Sequence, residues 1–339
     1  MTAGEPTVSS STNDHSDGHF DHRALIVDAD DTIQRVLVPR LLQKIDAHES
    51  VLMVVGADTT AIIRDRLGDA ADALQWAPVD GFHQRLGFSY SRFLRYLREQ
   101  RSRQQIVHVI TEPEIVADST APVDRAAAYL GYEAMTNDVY AGYGCPITCI
   151  WHSHRHPAPM LDEVRKVHQR ELSARGIVEN PAYLPPTDYL NQRAQASMTA
   201  IPPASDLDIT VRHLEEVATC RAAVARWAAR RHFVPTAVRQ VVAATSEVVA
   251  NGLRHGRPPV RTRAWSEDTT LIVQVDDHGG LRIPAHFGYR PPIGPADPAG
   301  MWVARQLADV LLTHTGSGRT AVRMFFPYAV THRNLDVPT

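Results

Sequence analysis

Glu247 and Asn251 stand four residues apart in Thr245-Ser246-Glu247-Val248-Val249-Ala250-Asn251-Gly252-Leu253-Arg254-His255, an apolar run that stops at Gly256. On a helix, residues i and i+4 lie one above the other on a single face. A carboxylate and a carboxamide would then be presented together, while Val248, Val249 and Leu253 pack elsewhere. The pair suits Mg²⁺–phosphate chemistry, because Mg²⁺ takes hard oxygen ligands and shares its shell with phosphates. The carboxylate can also accept a proton from a hydroxyl or a water. A second constellation follows in Val273-Gln274-Val275-Asp276-Asp277-His278-Gly279-Gly280, an apolar strand ending in acid and glycine. There Asp277 can accept a hydrogen bond from an exocyclic amine such as that of adenine, and the glycines admit a ring or phosphate without a Cβ clash. Asp297-Pro298-Ala299-Gly300 places a glycine before a helix, where free N–H groups favour phosphate. Gly316-Ser317-Gly318-Arg319-Thr320 opens the last strand with a turn and a hydroxyl. Each piece alone has a plainer reading: a solvated helix face, or a turn between strands. Their order and spacing carry the functional one.

The elements that must position these residues form two patterns. In the N-terminal half, apolar runs at Arg23–Val27, Val51–Val55, Gln105–Ile110 and Ile147–Trp151 read as buried strands. They alternate with helical spacing over Thr32–Ile45, Thr59–Arg66, a stretch ending at Phe93–Gln100, and Val123–Val139. Strands alternating with helices predict an α/β unit with a mostly parallel, helix-covered sheet. Proline-marked polar sequence from Asn180 to Ser205 separates the halves. Beyond it an α+β pattern begins, with strands at Leu207–Val211, Val260–Trp265, Thr270–Val275 and Thr320–Phe326. Helices are expected at His213–Arg231, from Pro235 to His255, and at Met301–Leu312. The predicted plan is a disordered tail over 1–20, a first domain over 21–190, a linker over 191–206, a second domain over 207–328 and a tail over 329–339.

Composition narrows the function classes. The 339 residues suffice for about two domains, and 44% hydrophobic content lets each bury a core. A net charge of -3, with 35 basic residues scattered among 38 acidic ones, gives no footprint for direct nucleic-acid binding. Cys145, Cys149 and Cys220 make no disulfide framework. No basic segment followed by an apolar run opens the chain, and no stretch approaches ~18 apolar residues, so neither a signal peptide nor a membrane span is expected. The cytoplasm is the expected location.

The second domain resembles the histidine-kinase-type ATPase domain (the GHKL or Bergerat fold, an α+β two-layer sandwich), in the short form of bacterial anti-sigma-factor serine kinases. The matching pieces are Ser246-Glu247-Val-Val-Ala-Asn251-Gly-Leu-Arg-His255-Gly256, Val273-Gln-Val-Asp-Asp277-His-Gly279, Gly300-Met-Trp-Val-Ala-Arg305 and Gly318-Arg-Thr320. The resemblance implies Mg-ATP as cofactor, Glu247 as general base, Asn251 as the Mg²⁺ ligand, Asp277 as adenine reader with Thr320 beside it, and His255, Gly279 and Gly300 as further nucleotide contacts. Residues 285–299 would form a lid. It further implies that the protein holds an alternative sigma factor, phosphorylates Ser or Thr on a STAS-type anti-sigma antagonist, and forms a homodimer. Two positions depart from the family pattern: Leu281 and Pro298 stand where glycines are usual, and a proline lacks the N–H a phosphate would use. A second reading is therefore a non-enzymatic protein-binding module with a decayed site. A third is a sensor histidine kinase, disfavoured because His213-Leu-Glu-Glu-Val lacks the Arg-x-Pro that follows a phosphoaccepting histidine.

The first domain resembles the MEDS sensory domain of DcmR-type regulators, through Asp80-Gly-Phe-His-Gln-Arg-Leu-Gly-Phe, Thr111-Glu112-Pro113, Tyr132-Glu133-x3-Asn137, Cys149-Ile-Trp-His152 and Asn180-Pro-Ala-Tyr183. That likeness implies a RecA-like sheet and a sensed small molecule. Gly56-Ala-Asp-Thr-Thr60 stands where a phosphate loop would carry its lysine, so no ATP is expected in this half. Glu112, Glu133 and Asn137 either line a ligand pocket at strand ends or fix internal hydrogen bonds. Cys145-x3-Cys149-x2-His152-Ser-His154-Arg-His156 has the residue types of a metal site, but its spacing matches no common structural zinc site. Trp76 and Trp151 read as core.

Overall fold

A computed structural model describes residues 20–29, 31–79, 85–115, 121–193, 198–280, 282–294 and 297–329. Nearly all of the two expected tails, Asp80 to Gln84 of the first motif, and Leu281 lie outside the described residues.

The N-terminal unit is an α/β layer structure. Its first elements are β1 (His22–Val27), α1 (Val38–Asp46), β2 (Ser50–Val54), α2 (Ala57–Leu67), β3 (Gln75–Trp76), α3 (Leu86–Ser102) and β4 (Val107–Thr111). They are followed by α4 (Arg125–Val139), β5 (Ile147–His152), α5 (Ala158–Val167), β6 (Arg170–Ser173), β7 (Gly176–Glu179) and α6 (Pro186–Arg193). The seven strands lie in the order β3-β2-β4-β5-β1-β6-β7. All pairs are parallel except the β6–β7 edge hairpin. Every residue of β5 is buried, as expected for a parallel strand covered on both faces. Asp124 caps α4 by accepting the Ala127 N–H at 2.8 Å. Trp151 is fully buried, whereas Trp76 is half-buried beneath the Arg64 guanidinium.

The C-terminal unit packs helices on one antiparallel sheet. It runs β8 (Leu207–Val211), α7 (Val217–Ala229), α8 (Pro235–His255), β9 (Val260–Glu267), β10 (Thr270–Asp277), α9 (Gly300–Leu307), β11 (Val310–Gly316) and β12 (Arg319–Pro327). The order across the sheet is β11-β12-β10-β9-β8. Helix α8 starts on Pro235 and buries Ala237, Val241, Ala244, Val248 and Val249 against the strands. One expectation fails. The helix predicted over Met301–Leu312 stops at Leu307, and Val310 onward is strand β11, paired with β12. The apolar run Val310-Leu311-Leu312 suits either period. Asp309 breaks the helix by turning its carboxylate into the N-terminal unit, where Arg125 Nε lies at 2.7 Å and the Leu86 N–H at 3.3 Å.

That contact belongs to a continuous apolar interface. Tyr90, Tyr132 and Leu94 of the first unit share one core with Trp265, Ile272, Tyr289, Val310 and Phe325 of the second. Tyr132 meets Tyr289 edge to face at 4.9 Å, and its hydroxyl donates to Arg305 O at 3.4 Å. Arg85 is buried at the seam and donates to Leu307 O at 2.7 Å and Gln240 Oε1 at 3.1 Å. Burial pulls its guanidinium down to about 10, against the opposing pull of the Asp309 charge. Gly87 of α3 sits so close to α9 that a Cβ there would lie 2.1 Å from Arg305 O.

Candidate functional site

The strands place the first pair of site residues. In the β10–β12 register Asp277 lies directly opposite Thr320, so the acid and the hydroxyl are neighbours on one end of the sheet. Asp277 Oδ1 accepts the Gly279 N–H at 2.7 Å, which fixes the carboxylate across the turn. Burial raises the Asp277 carboxyl above its ordinary range, although the N–H groups of Gly279 and Arg257 pull the other way. Helix α8 ends against this carboxylate. A Cβ on Gly256 would stand 2.5 Å from Asp277 Oδ1 and 2.6 Å from Gly252 O, so only glycine fits where the helix terminates.

The N-terminus of α9 brings the second pair in. A Cβ on Gly300 would lie 2.9 Å from Glu247 Oε2, 3.0 Å from Asn251 Nδ2 and 3.3 Å from Asn251 Oδ1. Glu247 and Asn251 therefore share the face of α8 that meets the first residue of α9, where free backbone N–H groups and the helix dipole favour an anion. A cavity opens between these elements. It is lined by Asn251, His255, Asp277, Gly300 and Thr320, with Ile283, Phe287, Pro298 and Met301 on the other walls. Glu247 stands beside Gly300 rather than in the lining, and Gly279 acts through its bond to Asp277. Sequence reasoning passed over Ile283, Phe287 and Met301. The apolar residues embedded in an otherwise Pro- and Gly-rich segment were the available signal. Within that segment, Asp297 Oδ2 accepts the N–H groups of Ile293 (2.7 Å) and Gly294 (3.1 Å).

The residues fit a nucleotide with Mg²⁺: an acid at a strand end for an amine, an open glycine at a helix N-terminus for phosphate, and a carboxamide oxygen beside it for a hard cation. Compared with known protein families, residues 211–326 match the histidine kinase-like ATPase domain, and residues 21–169 match the MEDS family, the methanogen/methylotroph DcmR sensory domain. The chain joins a MEDS domain to a histidine kinase-like ATPase domain. Among solved structures it is similar to that of the RsbU and RsbW domains of Rv1364c from Mycobacterium tuberculosis, at 21% identity and a TM-score of 0.27. That match covers 36% of this chain and 32% of the other, so the chain spans about a third of that relative's length. No curated protein matches the chain. No helix among the described residues is long and apolar enough to cross a membrane.

In the MEDS domain the sequence-local candidates separate. Glu112 accepts the Gly56 N–H at 3.1 Å and Arg155 Nη1 at 3.0 Å, with His152 Nε2 2.9 Å away. Its carboxylate thus caps the start of α2, the place a phosphate loop would use. Burial alone would raise this acid, but bonds from His152, Thr59 and Gly56 hold it below the usual range. Asn137 donates to Ala134 O and Val167 O, an internal role. Cys145 points back to Tyr143 O, and His152 belongs with Glu112, so neither joins Cys149. Cys149 and Glu133 instead meet His22 and His168, two residues sequence reasoning did not single out. No local spacing could have flagged them, because the four come from four separate elements.

Proposed function

We propose that the ATPase domain binds Mg-ATP and transfers phosphate to a serine or threonine of a partner protein, under control of the MEDS domain. The convergence of Asn251, Asp277, Gly300 and Thr320 on one cavity, with Glu247 against Gly300, supports this reading more than any other observation. Asp277 accepts the adenine amine, with Thr320 beside it; the α9 N-terminus holds phosphate oxygens; His255 contributes at the cavity rim. Glu247 takes the proton of the attacking hydroxyl. Mg²⁺, held with the nucleotide by the Asn251 side-chain oxygen, supplies neutralisation of phosphate charge. In the family this chemistry serves control of an alternative sigma factor, with a STAS-type antagonist as the phosphorylated partner, and that is the role proposed for this chain, in the cytoplasm and as a homodimer.

Pro298 in the cavity wall favours one alternative, in which the domain holds its partner without turnover, because a proline offers no N–H to a phosphate. Titration of the full chain with a fluorescent ATP analogue, followed by phosphate transfer to a purified antagonist, separates the two. Binding with transfer that disappears in Glu247→Ala supports the kinase. Transfer that persists in Glu247→Ala removes the base assignment, and no binding at millimolar nucleotide removes the ATPase reading altogether.

A further inference from the structure

Four groups of metal-ligating type meet in the interior of the MEDS domain. His22 opens β1, Cys149 lies on β5 next to it in the sheet, Glu133 projects from α4, and His168 follows α5. All four are 5% exposed or less. One nitrogen of each imidazole, one Glu133 oxygen and the Cys149 sulfur lie within 4.8 Å of one another. His22 Nε2 is 3.3 Å from Glu133 Oε1 and 3.4 Å from Cys149 Sγ, and His168 Nε2 is 3.2 Å from the same Glu133 oxygen. Zinc–nitrogen and zinc–oxygen bonds of about 2.1 Å imply a tetrahedral edge of about 3.4 Å. Three of the six separations, at 3.2 to 3.4 Å, match that edge, and all six are within 4.8 Å.

The hydrogen bonds behind the ligands fix their tautomers. His168 Nδ1 lies 2.8 Å from Val164 O, and a carbonyl only accepts, so this nitrogen carries the hydrogen. Asn137 donates its amide to Ala134 O (3.1 Å) and Val167 O (2.7 Å), so its Oδ1, 3.1 Å from His22 Nδ1, is an acceptor. Thr136 spends its hydroxyl hydrogen on Glu133 O at 2.7 Å, so its oxygen also only accepts from His22 Nδ1 at 3.3 Å. Both imidazoles thus aim an Nε2 lone pair at the Glu133 carboxylate, acceptor against acceptor. The polar atom beside His168 Nε2 is that same carboxylate oxygen, at 3.2 Å. Protonating both imidazoles would leave two imidazolium ions against one carboxylate in a buried site, a net charge of high cost, and protonating one leaves the other ring with only the weak Cys149 thiol as a donor. A divalent cation relieves it with no net charge, because two neutral imidazoles, a carboxylate and a thiolate together carry −2.

We infer that His22, Glu133, Cys149 and His168 form a transition-metal site of the MEDS domain, with zinc as the ion that best fits two imidazoles, a carboxylate and a thiolate. On binding, the Cys149 thiol gives its proton to solvent and the sulfur bonds the metal. Asn137, Thr136 and the Val164 carbonyl are the outer partners that hold the rings in ligand orientation. Three of the ligands, His22, Glu133 and Cys149, also line an apolar cavity walled by Tyr90, Phe93 and Tyr129. The proposed metal therefore borders a buried, apolar space.

The test is elemental analysis of the full chain purified without chelator or polyhistidine tag, and cobalt uptake by the chelator-stripped protein. Expected are one zinc per chain, its loss in Cys149→Ser and His168→Gln, and its retention in the exposed-residue control His154→Gln. Cobalt should give a thiolate-to-metal charge-transfer band in the wild-type chain that Cys149→Ser lacks. This wild-type spectrum keeps the inference open to refutation even if a variant does not fold. A wild-type chain that takes up neither zinc nor cobalt with a thiolate band overturns the site, as does full zinc occupancy in Cys149→Ser.

Discussion

Gly87→Ala sets two effects of opposite sign against each other. Gly87 lies in the first turn of α3, and alanine is the better helix former by at most about 1 kcal/mol, so propensity alone predicts a small gain in stability. The Cβ, however, would sit 2.1 Å from Arg305 O, 2.8 Å from Arg305 C and 3.1 Å from Gln306 Cα, all backbone atoms of α9. An ordinary carbon–oxygen contact is about 3.3 Å, so α3 and α9 must part by roughly 1 Å. A gap of that size forfeits about a quarter to a half of each dispersion contact across it. It also stretches the Arg85–Leu307 O, Leu86–Asp309 and Tyr132–Arg305 O hydrogen bonds, which begin at 2.7, 3.3 and 3.4 Å. Overpacking of this kind costs about 1–3 kcal/mol, which outweighs the propensity gain. Net of the full propensity gain the cost is up to about 2 kcal/mol, so hydrogen exchange at the amides of α3 and α9 should accelerate by up to about 30-fold. Gly142→Ala, whose Cβ would meet only the Arg101 guanidinium at 3.9 Å, should change nothing there. Unchanged or slower exchange at α9 in Gly87→Ala would refute the close docking of the two domains.

Three further outcomes follow from the geometry. Gly300→Ala should weaken binding of a fluorescent ATP analogue at least ~10-fold with little change in the urea midpoint, because the methyl strikes the movable ends of Glu247 and Asn251. On the proposed role, nucleotide affinity should fall as pH drops through the raised Asp277 value, since protonation replaces the anionic acceptor for the adenine amine with a weaker neutral one, and Asp277→Asn should bind weakly with no such pH dependence. The sign for stability is the reverse: a raised carboxyl favours the folded nucleotide-free protein at low pH, and that contribution is lost as pH rises through the folded value, so affinity and stability move oppositely in that window. Arg125→Ala should destabilise the chain by about 3 kcal/mol in urea titration, because it strands the buried Asp309 carboxylate, and Asp309→Ala made on top of it should cost much less than it does alone.

The C-terminal half was legible because its chemistry is local. Glu247 and Asn251 share a helix face, and Asp277 closes the strand that follows, so period and punctuation sufficed to place them, while their roles came from the family resemblance. The error at Val310–Gly316 has a tertiary cause. Nothing in Val-Leu-Leu distinguishes helix from strand until Asp309 is seen to leave α9 for Arg125. Short edge strands such as β3 and the β6–β7 hairpin carry too few residues to show a period. The MEDS site was illegible for a stronger reason. Its ligands lie as far apart in sequence as His22 and His168, and only the parallel β1–β5 pairing and the packing of α4 bring them together. The run of cysteines and histidines from Cys145 to His156 drew attention by composition, but alternation along β5 turns Cys149 inward toward a different set of partners.

Helix α9 stands between the two sites. Leu86, Tyr90 and Tyr132 line the cavity beside the proposed metal. On their other sides, the Leu86 N–H faces Asp309, Tyr90 packs near Trp302 at 6.2 Å between ring centroids, and the Tyr132 hydroxyl reaches Arg305 O. Trp302 and Arg305 belong to α9, and α9 begins at Gly300 against Glu247 and Asn251. Physical contiguity is not coupling by itself; a ligand shifts the helix only if it binds two positions of α9 with different affinity. Glu133 and Tyr132 are consecutive on α4, so a metal that pins Glu133 also restrains the tyrosine that holds α9. If that restraint discriminates between positions of α9, zinc must change nucleotide affinity by the same factor that nucleotide changes zinc affinity. Both quantities are measurable on one purified chain, and unequal factors would mean that the two measurements do not report a single linked equilibrium.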